Sequence, residues 1–165
     1  MNKISLIFVA VMLSIVFFNG GNLFGMDRVK KIRLKGAIKE STPKAVTILE
    51  LEKLPLTEYS VFNPYRKERK TYKGVLMKDM VNAFGEPGVT KISIIAVDGY
   101  HSEFVEDEWL KWDILFAIKS DGKLMGPDVN GPVKVVMPYD TSPEMDRILY
   151  EPKWIWAIKT IIFSK

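Results

Sequence analysis

The sequence predicts an α+β domain, on three observations. Segments with the alternating or continuous apolar pattern of strands run through most of the chain. Only two or three segments carry the spacing of an amphipathic helix, and each is short. Asp121-Gly122, between two apolar runs, is the strongest short hairpin signal in the chain. About seven strands with a few short helices make an α+β sheet domain rather than a bundle or a regular βαβ array.

The elements follow in order. Ile32, Leu34 and Ile38 among Lys31, Arg33, Lys35 and Lys39 predict a strand over 31–39, with Gly36 as a bulge. Thr47 with Glu50 forms a capping box, and Val46 with Leu51 the matching hydrophobic staple, so a helix is expected over 48–54, stopped by Pro55. Residues 56–62 alternate as a strand, and Asn63–Lys70 reads as a polar loop. Leu76, Met77, Met80, Val81 and Phe84 share one helix face, with Gly85 as the stop. A strand over 92–97 leads into the Asp98–His101 connection, and a short helix carries Trp109 and Trp112. Strands over 114–119 and 123–125 flank the Asp-Gly turn, and 132–137 is a further valine-rich strand. Ser142-Pro143 has the form of a helix start. Trp154–Phe163 is apolar on both faces, which predicts a central strand with Trp154 and Trp156 on one face.

Composition excludes several kinds of chemistry. The 165 residues are 47% hydrophobic and 27% charged, which suits one packed domain and not a disordered tail. The net charge of +4 is spread with both signs interspersed, so no nucleic-acid partner is expected. With no cysteine there is no disulfide, thiolate catalyst or cysteine metal site, and one histidine excludes a multi-histidine site.

Lys3 followed by an apolar run from Ile4 to Phe18 has the form of an export signal over residues 1–25, cleaved or kept as an anchor. Residues 26–165 then form the single domain. No Arg-Arg pair precedes the apolar run, so a Sec-type route with export of the unfolded chain is expected, to the periplasm or the exterior. Contact with a membrane is expected only through an uncleaved signal.

Thr47–Pro55, Tyr72–Met80, Asp98–Tyr100, Asp113–Gly122, Gly131–Pro138 and Lys153–Ile155 occur in an order and spacing that resemble the oxidoreductase molybdopterin-binding superfamily, above all its small exported single-domain members. The resemblance spans about residues 44–163 and implies a sulfite-oxidase-like fold, with mixed and antiparallel sheets and a few short helices. Catalytic members hold molybdenum through one cysteine thiolate. The matching stretch here, Tyr59–Tyr65, contains none, and Ser60 is a harder and poorer ligand. No cofactor is therefore expected, although molybdopterin is what the family binds.

The resemblance places a pocket among the Asn63–Lys70, Asp98–His101 and Gly126–Gly131 loops. Its candidate lining is Ser60, Asn63, Tyr65, Arg66, Asp98, Tyr100, His101 and Asn130. Arg66 and the neighbouring Lys67, Arg69 and Lys70 suit a phosphate or carboxylate, unless they are merely solvated. Tyr65 and Tyr100 suit a flat ligand, and His101 offers an imidazole to hydrogen-bond a ligand but lacks a second metal ligand or a nucleophile beside it. The acidic Asp107, Glu108 and Asp113 read as solvated, and Gly126–Gly131 precedes no phosphate-binding helix. No catalytic residue or metal ligand is expected. The function expected is a non-catalytic accessory domain that binds a small anionic or aromatic ligand or a periplasmic protein. The alternatives are a molybdopterin oxidoreductase with a non-cysteine site built on Ser60 and the basic loop, and a subunit of a larger exported assembly marked by an exposed Trp109 or Trp112.

Overall fold

A computed structural model describes residues 31–165, so the expected export signal over 1–25 lies outside the described residues. The first half of the chain forms β1 (Ile32–Gly36), β2 (Ala45–Val46), α1 (Ile48–Leu51), β3 (Thr57–Asn63), β4 (Glu68–Leu76), α2 (Met77–Phe84) and β5 (Lys91–Ala96). The second half forms β6 (His101–Val105), α3 (Glu106–Lys111), β7 (Leu115–Ser120), β8 (Lys123–Leu124), β9 (Lys134–Val136), α4 (Arg147–Tyr150) and β10 (Ile158–Ser164). No helix of the described residues is long and apolar enough to cross a membrane.

The strands make two sheets. One has the order β2-β1-β10-β5-β6, with β1 and β10 parallel and the other pairs antiparallel. The other runs β3-β4-β7-β8, and β9 also pairs with β7. The last strand is central, as its apolar faces predict. Ile32, Leu34, Ile92, Ile94, Ile161 and Phe163 from the first sheet and Val75, Leu115, Phe116 and Val135 from the second belong to one buried cluster. Met77 and Met80 of α2 complete it, as the spacing in that helix predicts.

Local chemistry sets the boundaries. In α1 the capping box forms as expected: the Thr47 hydroxyl accepts from the Glu50 N–H, and the Glu50 carboxylate accepts from the Thr47 N–H at 2.7 Å. The helix ends at Leu51, earlier than expected. The strand expected over 31–39 ends at Gly36 without a bulge, because Gly36 takes φ +80° while still paired in register with Phe163. Gly74 of β4 has another role. A Cβ there would lie 2.0 Å from the Phe116 carbonyl oxygen, so β4 and β7 approach closely only through glycine.

Several expectations are corrected. Asn63–Lys70 is not a loop. It is the tip of the β3–β4 hairpin, with only residues 64–67 outside the strands. The tip closes because the Asn63 side-chain oxygen accepts from the N–H groups of Tyr65 and Arg66, at 3.0 and 3.1 Å, and Lys67 takes φ +54°. Ser142-Pro143 begins only a turn, and the helix nearby is α4, capped by the Asp146 carboxylate on the Ile148 N–H at 2.9 Å. β10 starts at Ile158, not Trp154, because Ala157 is left-handed at φ +50°. Trp154 and Trp156 thus precede the strand and share no strand face. His101 opens β6, paired with Ile95, where a connection to a helix was expected. Trp109 and Trp112 are both buried, which removes the exposed tryptophan that would mark an assembly surface. Glu108 is not solvated either. It is buried, accepts from the Val105 N–H at 2.8 Å and is ion-paired with Lys153.

Candidate functional site

The hairpin tip separates two hollows, because adjacent residues go to different sides. Arg66 lines one and Tyr65 the other. Asn63, buried beneath them, fixes the tip through its side-chain oxygen and donates from its amide nitrogen to the Tyr72 hydroxyl at 2.7 Å. Asn63 is therefore a scaffold residue and lines neither hollow.

The first hollow is a cleft of about 380 Å³, walled by the hairpin, the β7–β8 turn and the loop at Gly126–Val129. Its floor is Lys134 of β9. That lysine is only 5% exposed, yet no carboxylate among the described residues reaches ion-pair distance of its ammonium group. The ammonium lies 3.4 Å from the Tyr72 hydroxyl, to which it donates, and 4.9 Å from the centre of the Tyr72 ring. Burial, reinforced by the positive charges of Arg66 and Lys70 and opposed by Glu68, lowers its pKa to about 8.

Other cations on the walls are partly engaged. Lys70 contacts Asp121 at 3.0 Å and Glu68 at 3.5 Å, which raises its pKa. Arg66 donates to the Asp128 carbonyl at 3.2 Å, and Lys123 also lines the cleft. Of the remaining hairpin cations, Arg69 is paired with Asp140.

The second hollow, about 240 Å³, is aromatic. Tyr65, Tyr100, Trp154 and Trp156 line it with Asp98 and Pro152 among their neighbours. Tyr65 and Trp156 meet edge to face, with centroids 5.2 Å apart. The Tyr65 hydroxyl donates to the Glu151 carbonyl at 2.8 Å and that of Tyr100 to the Pro152 carbonyl at 2.6 Å. Asp98 accepts from the Tyr100 N–H at 2.9 Å.

The single pocket expected from the sequence is thus two. Arg66 belongs to the cleft, and Tyr65, Asp98 and Tyr100 to the aromatic hollow. Ser60, His101 and Asn130 line neither. Ser60 is exposed on β3 and its hydroxyl donates to the Lys70 carbonyl at 3.4 Å. His101 is exposed on β6. Asn130 ends a short 3-10 turn in the left-handed region, and its carbonyl accepts from the Ala157 N–H. Lys134 was not among the expected residues, although one signal pointed to it: a lone cation within the otherwise apolar run Val133–Met137.

A solved structure of the sulfane dehydrogenase SoxCD from Paracoccus pantotrophus is similar over 81% of this chain, with a TM-score of 0.60 and 12% identity. The two share a fold. The expected α+β, sulfite-oxidase-like class is therefore the one the chain adopts. The match spans 37% of that chain, little more than a third of its length. No family model and no curated protein matches the sequence.

The molybdenum centre implied by the family resemblance needs a thiolate, and the donors present do not fit one. The sequence has no cysteine, and Ser60 stands outside the cleft with its hydroxyl turned to a backbone carbonyl. Among the described residues no three His, Cys, Asp or Glu side chains gather where they would hold a metal ion. What the cleft does offer is four basic side chains, Arg66, Lys70, Lys123 and Lys134, against three carboxylates, Glu68, Asp121 and Asp128, a net positive lining that suits a small anion.

Proposed function

We propose that the protein is an exported, non-catalytic binding domain whose cleft holds a small oxyanion, such as a carboxylate, phosphate or sulfur oxyanion. One observation carries this reading: a buried ammonium, Lys134, opens onto the cleft without a carboxylate partner among the described residues. A buried charge is costly unless it is paired, and an anion at this position supplies the missing pair. Arg66 and Lys123 add positive field at the walls, while Lys70 is already neutralised by Asp121 and Glu68. The mixed charges of the walls favour a small ligand over an extended polyanion.

Export rests on the Lys3-led apolar run and would place the domain in the periplasm or outside the cell. The absence of a catalytic role rests on the missing thiolate and on the position of Ser60. Calorimetric titration with inorganic phosphate, sulfate and acetate tests the anion site. Saturable binding of at least one anion is expected, lost in Lys134→Met; three flat titrations with a folded protein would refute it. Elemental mass spectrometry on protein exported by its own leader tests the rest. Near-stoichiometric molybdenum would overturn the non-catalytic reading in favour of a molybdopterin oxidoreductase.

A further inference from the structure

The aromatic hollow has the opposite electrostatic character to the cleft beside it. Asp98 is the one charged residue among those lining it, and the carbonyls of Glu151 and Pro152 lie at its edge as acceptors for the two tyrosine hydroxyls. Burial, with the Glu151 carboxylate and Tyr100, raises the Tyr65 pKa, so Tyr65 stays a neutral phenol at physiological pH. Neither basic side chain of the adjoining segment lines the hollow: Arg147 packs over the Tyr139 ring and borders a separate shallow hollow on the other side of Tyr65, Glu151 and Pro152, and Lys153 pairs with Glu108.

The rings are also fixed in place. Tyr65 and Tyr100 are each anchored at the hydroxyl by a backbone carbonyl, so their rings stay put although both residues are nearly half exposed. Tyr65 meets Trp156 at an interplanar angle of 73°, which sets two walls close to perpendicular. Trp154, 2% exposed, is packed beneath against Tyr139 and Tyr72 and cannot swing out. Perpendicular electron-rich faces beside a single carboxylate form the arrangement that attracts an organic cation too weakly hydrated to prefer water.

We propose that this hollow binds a small methylated ammonium cation, a quaternary amine such as choline or a methylated amine side chain. The cation sits among Tyr65, Tyr100 and Trp156 with Asp98 as its counter-charge. Its volume of about 240 Å³ admits such a headgroup but not a large flat ligand. The site is independent of the Lys134 cleft, and neither proposal requires the other.

The experiment is a tryptophan-fluorescence and calorimetric titration of the full chain with choline and tetramethylammonium. It is repeated with the neutral carbon isostere of choline, in which tert-butyl replaces trimethylammonium. Saturable binding of both cations is expected, with the isostere weaker by about tenfold or more, since it keeps the shape and loses the charge. Asp98→Asn is expected to weaken choline several-fold, and Tyr65→Leu to abolish its binding. No saturable response to either cation would overturn the proposal. So would an isostere that binds as well as choline, because the hollow would then be merely apolar. Should Tyr65→Leu fail to fold, the comparison of choline with its isostere on the wild-type chain decides alone.

Discussion

Replacing Lys134 with methionine should make the protein more stable at neutral pH and remove a specific pH dependence. The lysine pKa falls from 10.5 to about 8 on folding, so the folded state binds fewer protons than the unfolded state between those values. Stability therefore rises with pH through that window and is lowest, for this group, below pH 8. A shift of that size is worth roughly 3 kcal/mol in full. About 2 kcal/mol of it should be regained between pH 7 and pH 9.5. In Lys134→Met the charge is gone and so is the gain. The long 3.4 Å bond to Tyr72 and the contact with its ring are lost too, which offsets about 1 kcal/mol. A net stabilisation of about 2 kcal/mol at pH 7 follows. Tyr59 and Tyr139 act in the opposite sense, because burial raises their pKa values and favours the unfolded state as pH climbs past 10. The measurement is thus the difference between wild type and variant in urea unfolding at pH 7 and pH 9.5, in a buffer free of binding anions. A difference that stays constant with pH, or a variant less stable at pH 7, would refute the buried, unpaired ammonium.

Three further outcomes are expected. Affinity for phosphate or sulfate should fall as pH rises through about 8 and persist below it, because an anion needs the protonated lysine; calorimetry at pH 6.5 and 9.5 checks this. Gly74→Ala should cost about 3 kcal/mol or prevent folding, since its Cβ would meet the Phe116 carbonyl oxygen at 2.0 Å, and circular dichroism with thermal melting reads the loss. Glu108→Gln keeps an acceptor for the Val105 N–H but strips Lys153 of its partner, for a cost of about 2 kcal/mol in urea. The double variant with Lys153→Met should recover part of that loss.

The elements legible in the sequence are those set by local chemistry. The capping box at Thr47, the apolar face of α2 and the Asp-Gly hairpin each depend on residues a few positions apart, and each forms where expected. The central place of β10 was legible because apolarity on both faces leaves a strand no solvent side. β4 was hidden by Glu68, Arg69, Lys70 and Lys73, whose charges mask the strand in its first, largely solvated half, although it is paired on both sides. The kink that detaches Trp154 and Trp156 from β10 rests on a left-handed alanine, a conformation no local rule assigns to that residue. At the site, the hairpin tip and the Asp98–Tyr100 segment were readable as pocket walls. Its division into two hollows was not, because it depends on Tyr65 and Arg66 diverging across a turn held by a buried asparagine. Lys134 was overlooked because a valine-rich strand reads as core, and only the tertiary packing shows that its lone cation lacks a carboxylate among the described residues.

The place of β10 also bears on the order in which the domain can be made. Residues 158–164 are the last of this sheet's five strands to be made, yet they lie between β1 and β5 and hold those two apart. Until they emerge, β1–β2 and β5–β6 are separate two-stranded ribbons, marginal in water on their own. Until β10 has been made, the first sheet therefore cannot close, and β1 and β5 each keep one unpaired edge.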